Sequence, residues 1–446
     1  MRRPLLPILL ATLTTFASPV RAEDAPTPAA SAGPAPAAAS SAPAPAAAPP
    51  SSAPSADDRP ATQAEVKALA EEVRRLKLEM SVPEAVTFGS YQGMGMGASK
   101  VHYQPKGLSI GGYGEFVYTN YVDDRVDFAE ILRLVLYVGY RFNDKIVFNS
   151  EVEFEHGARE IGIELAYFDF LLMDPLKLRV GNVLLPVGFL NENHEPIFFY
   201  GVYRPLVDRF IIPTTWNQNG LGIYGDVGPL RYKAYLVTGM DVFGDEPLQA
   251  ASWVRNARTG AFGPARTWAG VGSLNVDVGP ATFGGSFYGG NAGQGYKDPT
   301  GATVSPWVLI GEVHALVAWK GLTARGILAF GSLSEAGTVS EILAKDPDQY
   351  IGSSSWGGYV EAGFDVLTLV GSSMSLSPFL RFEAFNTQSA VQGAGVLNPA
   401  FDRRVITTGI DYKPIPQVAV KANWQQVSNM ASQTFQQWDL GIGFVY

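Results

Sequence analysis

From about residue 107 onward, apolar and polar side chains alternate with a period of two. Over 131–142, Leu132, Leu134, Leu136, Val138, Tyr140 and Phe142 share one face, and Arg133 and Arg141 lie on the other. Over 145–155, Ile146, Phe148, Val152 and Phe154 oppose Lys145, Asn149, Glu151, Glu153 and Glu155. The chain stops on the same pattern: Trp438, Leu440, Ile442, Phe444 and Tyr446 face one way, and Gln437, Asp439, Gly441, Gly443 and Val445 the other. Because side chains alternate across a strand, each segment is a strand with an apolar side and a wet side.

About sixteen such strands are predicted, from 108–121 to 434–446, and their connections alternate in length. After even-numbered strands come tight turns at Asn143-Asp144, Met173-Asp174-Pro175, Gly228-Pro229, Gly279-Pro280, Lys320-Gly321 and Lys413-Pro414. After odd-numbered strands come longer loops, most clearly 185–219, 240–266, 291–305, 333–354 and 387–402. Short turns at one end and long loops at the other are the signature of an all-β fold, a transmembrane antiparallel β-barrel. A soluble sandwich or lectin-like binder gives no reason for it.

The segment 307–319 serves as a ruler. Trp307, Leu309, Gly311, Val313, Ala315, Val317 and Trp319 share one face with tryptophan at both ends. At ~3.3 Å per residue such a strand runs about 40 Å, or about 30 Å along the membrane normal at a tilt of about 40°, close to an apolar band between aromatic girdles. No stretch after residue 22 is apolar enough for a membrane helix; even 131–140 is short and broken by Arg133. A closed barrel requires the last strand to pair with 108–118. The terminal aromatic after alternating apolar residues resembles the signal read by the barrel-assembly machinery, an expected partner alongside outer-membrane lipid.

Residues 1–22 read as a signal peptide: Arg2 and Arg3, then an apolar run, then Val20-Arg21-Ala22 as a small-residue cleavage site. Residues 23–60 are nearly all Ala, Pro and Ser, a disordered tether. Over 61–80, Val66, Leu69, Val73, Leu76 and Met80 are spaced 3, 4, 3, 4, which predicts a short coiled-coil helix used for oligomerisation, or else a lone amphipathic helix. Residues 81–107 are a connector, and 108–446 the barrel. The 446 residues contain no cysteine, which excludes disulfides and thiolate sites. Cleavage at 22 leaves 30 basic against 42 acidic side chains, so nucleic acid is not an expected partner.

Loop 185–219 is too long for an idle connector. Within it stand Leu185-Pro186-Val187-Gly188, Asn193-His194-Glu195-Pro196, Phe199-Tyr200-Gly201-Val202 and Ile212-Pro213-Thr214-Thr215-Trp216, and around it GGYGEF (111–116), EVEFEHG (151–157) and ELAYFDF (164–170). In these stretches the chain resembles the outer-membrane porins grouped with the phosphate-selective porins O and P. The resemblance implies a sixteen-stranded homotrimeric porin whose long loop folds inward. Tyr203 stands where relatives often carry an acidic residue, and no dense lysine cluster is present, so phosphate selectivity is not carried over.

Candidate pore-lining and constriction residues are Arg133, Arg141, Glu151, Glu153, Glu155, Arg179, Asn191, His194, Glu195, Arg204, Arg209 and Arg381. Charges of both signs line the inner face, so either a basic and an acidic wall oppose each other across the eyelet or the charges pair locally. The four histidines lie in no nucleophile-elbow sequence, and no enzyme activity, metal or cofactor is expected. The sequence thus predicts a passive channel for small hydrophilic solutes or ions, anions such as phosphate being candidates. The alternative is a plugged structural or adhesive barrel.

Overall fold

The computed structural model describes residues 62–80 and 89–446. The signal peptide 1–22, the tether 23–60 and part of the 81–107 connector lie outside the described residues, as do the side chains of 74–80, Leu76 among them. Helix α1 (Gln63–Met80) opens on a reciprocal cap: Thr62 N–H donates to Glu65 Oε2 (2.8 Å) and Glu65 N–H to Thr62 Oγ1 (3.3 Å), which satisfies two of the free donors at the helix start. Val66, Leu69 and Val73 are exposed along it.

Sixteen antiparallel strands close into a barrel, each paired with its sequence neighbours. They are β1 (Gly107–Tyr121), β2 (Phe128–Arg141), β3 (Ile146–Glu155), β4 (Glu160–Met173), β5 (Leu176–Leu184), β6 (Asn217–Val227), β7 (Leu230–Thr238), β8 (Trp268–Val278), β9 (Ala281–Asn291), β10 (Trp307–Trp319), β11 (Leu322–Leu333), β12 (Ser354–Phe364), β13 (Ser375–Ala390), β14 (Asp402–Ile415), β15 (Val418–Asn429) and β16 (Thr434–Val445). The seam closes between the last strand and the first, with Tyr113 opposite Val445 and Tyr121 opposite Gln437. Beyond it Gly112 and Tyr446 exchange both backbone bonds (3.1 and 2.9 Å).

The alternation sorts as the pattern predicts. On β10, Trp307, Leu309, Val313 and Trp319 are half or more exposed on the outer face, while Val308 and Ile310 are buried inside. Some boundaries differ from the sequence pattern. Apolar residues over 355–369 predict a strand to 369, but β12 stops at Phe364, because the Asp365 carboxylate accepts from Leu367 N–H (3.1 Å) and Leu376 N–H (3.0 Å) and folds the connection into a turn. β14 runs through Pro414 to Ile415, tolerated because the ladder is irregular between Tyr412 and Ile415 and needs no donor there. β6 begins at Asn217, so the long loop is 185–216.

An element absent from the sequence reading lies in the connector. Helix α2 (Met96–Tyr103) packs inside the barrel against β1, β2 and β3. The fit depends on Gly139: a Cβ there would lie 2.7 Å from that of Val101. Asn149 Nδ2 donates to Ala98 O (2.9 Å), and Arg141 Nη1 to His102 O (2.6 Å).

Candidate channel constriction

The loop between β5 and β6 is held at its base by one side chain. Asn191 Nδ2 donates to Leu185 O (2.7 Å) and Trp216 O (2.9 Å), while its Oδ1 accepts from Trp216 N–H (2.7 Å). From that base the loop crosses the lumen. Buried backbone groups must find partners, and the inner wall supplies them. Lys421 on β15 donates to the carbonyls of Pro196, Phe199 and Gly201 (2.5, 2.5 and 3.0 Å). Arg325 on β11 donates to Phe198 O (2.8 Å), Asn423 on β15 accepts from Val202 N–H (2.7 Å), and Glu383 on β13 accepts from Val207 N–H (3.1 Å). Close approach needs a small wall residue: a Cβ on Gly443 would meet Pro196 Cβ at 2.5 Å.

The loop's short helix α3 (Val207–Phe210) buries Val207 and Asp208 and leaves Arg209 exposed to the lumen. Burial raises the Asp208 carboxyl to about 7, against a pull from Tyr359. Arg255 and Arg258, on the connection between β7 and β8, stand beside Arg209. Arg255 Nη1 donates to Arg209 O (3.1 Å) and Thr214 O (2.7 Å), and Arg258 Nε to Arg255 O (3.0 Å). The Arg255 guanidinium is held well below its ordinary value by burial, then by Arg258, Arg209 and Arg133. Among the described residues none of these three arginines has a carboxylate at ion-pair distance.

The strand charges behave differently: they pair locally. Arg133 on β2 lies 2.8 Å from both Glu153 and Glu155 on β3 and 3.7 Å from Glu115 on β1. Arg381 reaches Glu361 (3.1 Å) and Glu383 (2.9 Å), and Arg325 reaches Glu361 (3.1 Å). Separate basic and acidic walls are therefore not formed by these strands, because Arg133 and Arg381 each stand between carboxylates and Arg325 pairs with Glu361.

Of the residues singled out from sequence, Arg209 is exposed, Arg133 and Glu155 are half-buried at the loop end of β2 and β3, and Glu153 is buried beside them. The others hold structure in place. Glu151 pairs with His194 Nε2 (3.1 Å), whose Nδ1 meets Asn191 O (2.9 Å), and Arg204 Nη2 donates to His194 O (3.2 Å). Glu195 Oε1 accepts from Gly97 N–H (2.7 Å) and Ala98 N–H (3.3 Å), tying the loop to α2. Arg179 binds Asp169 through Nε (2.7 Å) and Nη2 (2.8 Å), and Asp169 in turn meets His102 Nε2 (2.9 Å). Arg141 also sits at the turn end, clamping α2. Arg381 is fully buried in its carboxylate pair.

Sequence reasoning missed Arg255 and Arg258, although WVRNARTG (253–260) carries both in a connection long enough to fold inward. Glu155, His156 and Glu160 bring ligand atoms within 4.8 Å of one another, but Glu155 is engaged by Arg133 and His156 by Glu130 (2.8 Å).

No family model matches the chain. An uncharacterized protein of Aquifex aeolicus (strain VF5) is 33% identical over 370 residues, covering 79% of this chain and 82% of that protein. In fold the chain is similar to Salmonella typhi OmpF in complex with daunomycin (TM-score 0.53, 10% identity, 77% of this chain and 98% of that one). It is similar too to a loop L8 deletion mutant of OmpT, an outer membrane protein of Vibrio cholerae (TM-score 0.51, 10% identity, 77% and 100%). The fold is that of outer-membrane porins.

Proposed function

We propose that the chain, which belongs to the same family as the Aquifex aeolicus protein, is a passive outer-membrane channel for small hydrophilic solutes or ions. The observation that carries the reading is the constriction. Arg209, Arg255 and Arg258 cluster on inward-folded loops, Arg209 open to the lumen, and face the charged wall of Arg133, Glu153 and Glu155. A structural plug has no need of a cation left open to the lumen without a carboxylate partner. The unpaired side of the constriction is basic, which favours small anions, phosphate among them, over cations.

The surrounding assignments belong to the same proposal. Segment 1–22 directs export and the Ala/Pro tract is a spacer. The exposed seam of Val66, Leu69 and Val73 on α1 joins three copies as a coiled coil. The strand turns face the periplasm, the long loops face outward, and the assembly machinery reads the last strand.

A second reading, a plugged barrel, is favoured by the depth at which the loops pack: Ile211, Ile212, Trp253 and Val254 are fully buried. Single-channel recording in a planar bilayer across a KCl gradient separates the two. Conductance with a reversal potential of anion-selective sign is the expected result. Folded, heat-modifiable protein without conductance would assign the loops to a seal.

A further inference from the structure

Seven turns join the strands at one end of the barrel, and six of them take two to four residues. The seventh, between β12 and β13, takes ten (365–374) and carries no charge after Asp365: VLTLVGSSM. Asp365 spends its carboxylate on the Leu367 and Leu376 N–H groups, and the chain then makes a single 3-10 turn, Val366–Val370. Gly371, at φ +67°, ends it. The N–H groups of Thr368, Gly371, Ser372 and Met374 find acceptors inside the same turn, at Asp365 O (3.3 Å), Thr368 O (3.3 Å), Leu367 O (3.2 Å) and Ser372 Oγ (3.0 Å). Backbone that settles its own hydrogen bonds can leave bulk water at little cost.

The apolar side chains at the tip have no cover: Leu369 is 74% exposed and Val370 75%. Two contacts place that tip. A Cβ on Gly321 would lie 2.6 Å from Thr368 Oγ1, so the turn rests on the β10–β11 turn, next to Trp319. At its other end Tyr412 OH donates to Met374 Sδ (3.2 Å). Trp319 shares the outer face of β10 with Val313, and Tyr412 falls on the same side of β14 as the exposed Ile410. Lys320 holds its ammonium 5.0 Å from the Trp319 ring centre, as a side chain does when its stem follows apolar surface and its charge stays in water. The apolar tip therefore continues the aromatic rim where the barrel meets the membrane surface.

Two side chains are too little for a protein interface, which takes about 800 Å² per partner, whereas a bilayer boundary accepts short apolar segments. We propose that the β12–β13 turn is a membrane-interface anchor, Leu369 and Val370 entering the phospholipid leaflet at the turn end and seating between headgroups and acyl chains. The anchor pins the β10 to β14 sector to that leaflet and limits how far the barrel tilts there. It makes this sector a lipid face rather than a contact between copies, and it holds whether or not the lumen conducts.

The chain contains no cysteine, so Leu369→Cys creates a unique thiol for an environment-sensitive fluorophore such as NBD. The full-length protein is folded into vesicles of phosphatidylethanolamine and phosphatidylglycerol, and the label is quenched by nitroxide-bearing lipid or by iodide present on both sides of the membrane. Blue-shifted emission is expected, with quenching by the lipid about threefold stronger than by iodide. The same label on Asp144→Cys, in the exposed tight turn between β2 and β3, is expected to show the reverse order. Val370→Cys repeats the measurement should the label at 369 disturb folding, which heat-modifiability reads. Iodide quenching as strong as at position 144 would put the turn in water and overturn the proposal. Protection from both quenchers would put it under another protein chain and overturn the proposal equally.

Discussion

At the scale of single residues, the side chains that hold the loop should matter more to stability than those that face water. Asn191→Ala would strip partners from Trp216 N–H and from two buried carbonyls, at about 1–3 kcal/mol for each group left unsatisfied. Chemical denaturation of the refolded barrel should show a lowered midpoint. Arg381→Met leaves the buried Glu383 without its guanidinium and Glu361 with Arg325 alone, and breaking a buried pair from one side costs about 3–5 kcal/mol. Glu195 gives a pH signature. Burial raises its carboxyl to about 7, the Ala98 and Gly97 N–H groups and His194 pull it down, and Glu151 pushes it up. Between the ordinary glutamate value near ~4.3 and about 7, the folded barrel holds a proton that the unfolded chain has released. The stabilisation from this group is therefore present at low pH and lost as pH rises through that window. The heat-modifiability midpoint should fall from pH 5 to pH 8, and Glu195→Gln should flatten that slope.

At the scale of elements, α2 and the inward loop act as one assembly. Glu195 joins them, and His102, Asp169 and Arg179 fix α2 to the wall of β4 and β5. His102→Ala should loosen α2 alone, seen as faster amide exchange over 96–103 with the strand ladder unchanged, whereas equal exchange throughout would mean that α2 is not a separate unit. The strands were legible because one face meets lipid and the other water, which stamps a period of two on residues such as Leu132 to Phe142. The tight turns were legible from Gly228-Pro229 and Gly279-Pro280. α2 was not, because MGASKVHY is short and nearly as polar as a linker, and its burial comes from a cavity only the closed barrel creates. The roles of Arg141 and Arg179 were hidden for the same reason: facing inward was visible in the alternation, but being engaged by α2 and Asp169 depends on contacts far apart in sequence. Arg255 and Arg258 sit in a loop with no period to place them.

At the scale of the whole molecule, two charge systems act at different ranges. Arg325 and Arg381 against Glu361 and Glu383 nearly cancel at any distance beyond their own few ångströms, whereas Arg133 stands against Glu115, Glu153 and Glu155 and leaves an excess of carboxylates on its wall. The loop arginines have no carboxylate at ion-pair distance among the described residues and supply the positive part of the field at the constriction. A field set by exposed charge is screened over about 10 Å at 0.1 M salt and about 3 Å at 1 M, whereas local pairs are less sensitive. The anion preference read from the reversal potential should therefore weaken steeply as mean KCl concentration rises. Replacing Arg209 and Arg258 with alanine should lower that preference at 0.1 M and leave it nearly unchanged at 1 M. A preference that survives 1 M salt in the double variant would place selectivity in a close-contact site within the lumen rather than in the field of the loop arginines.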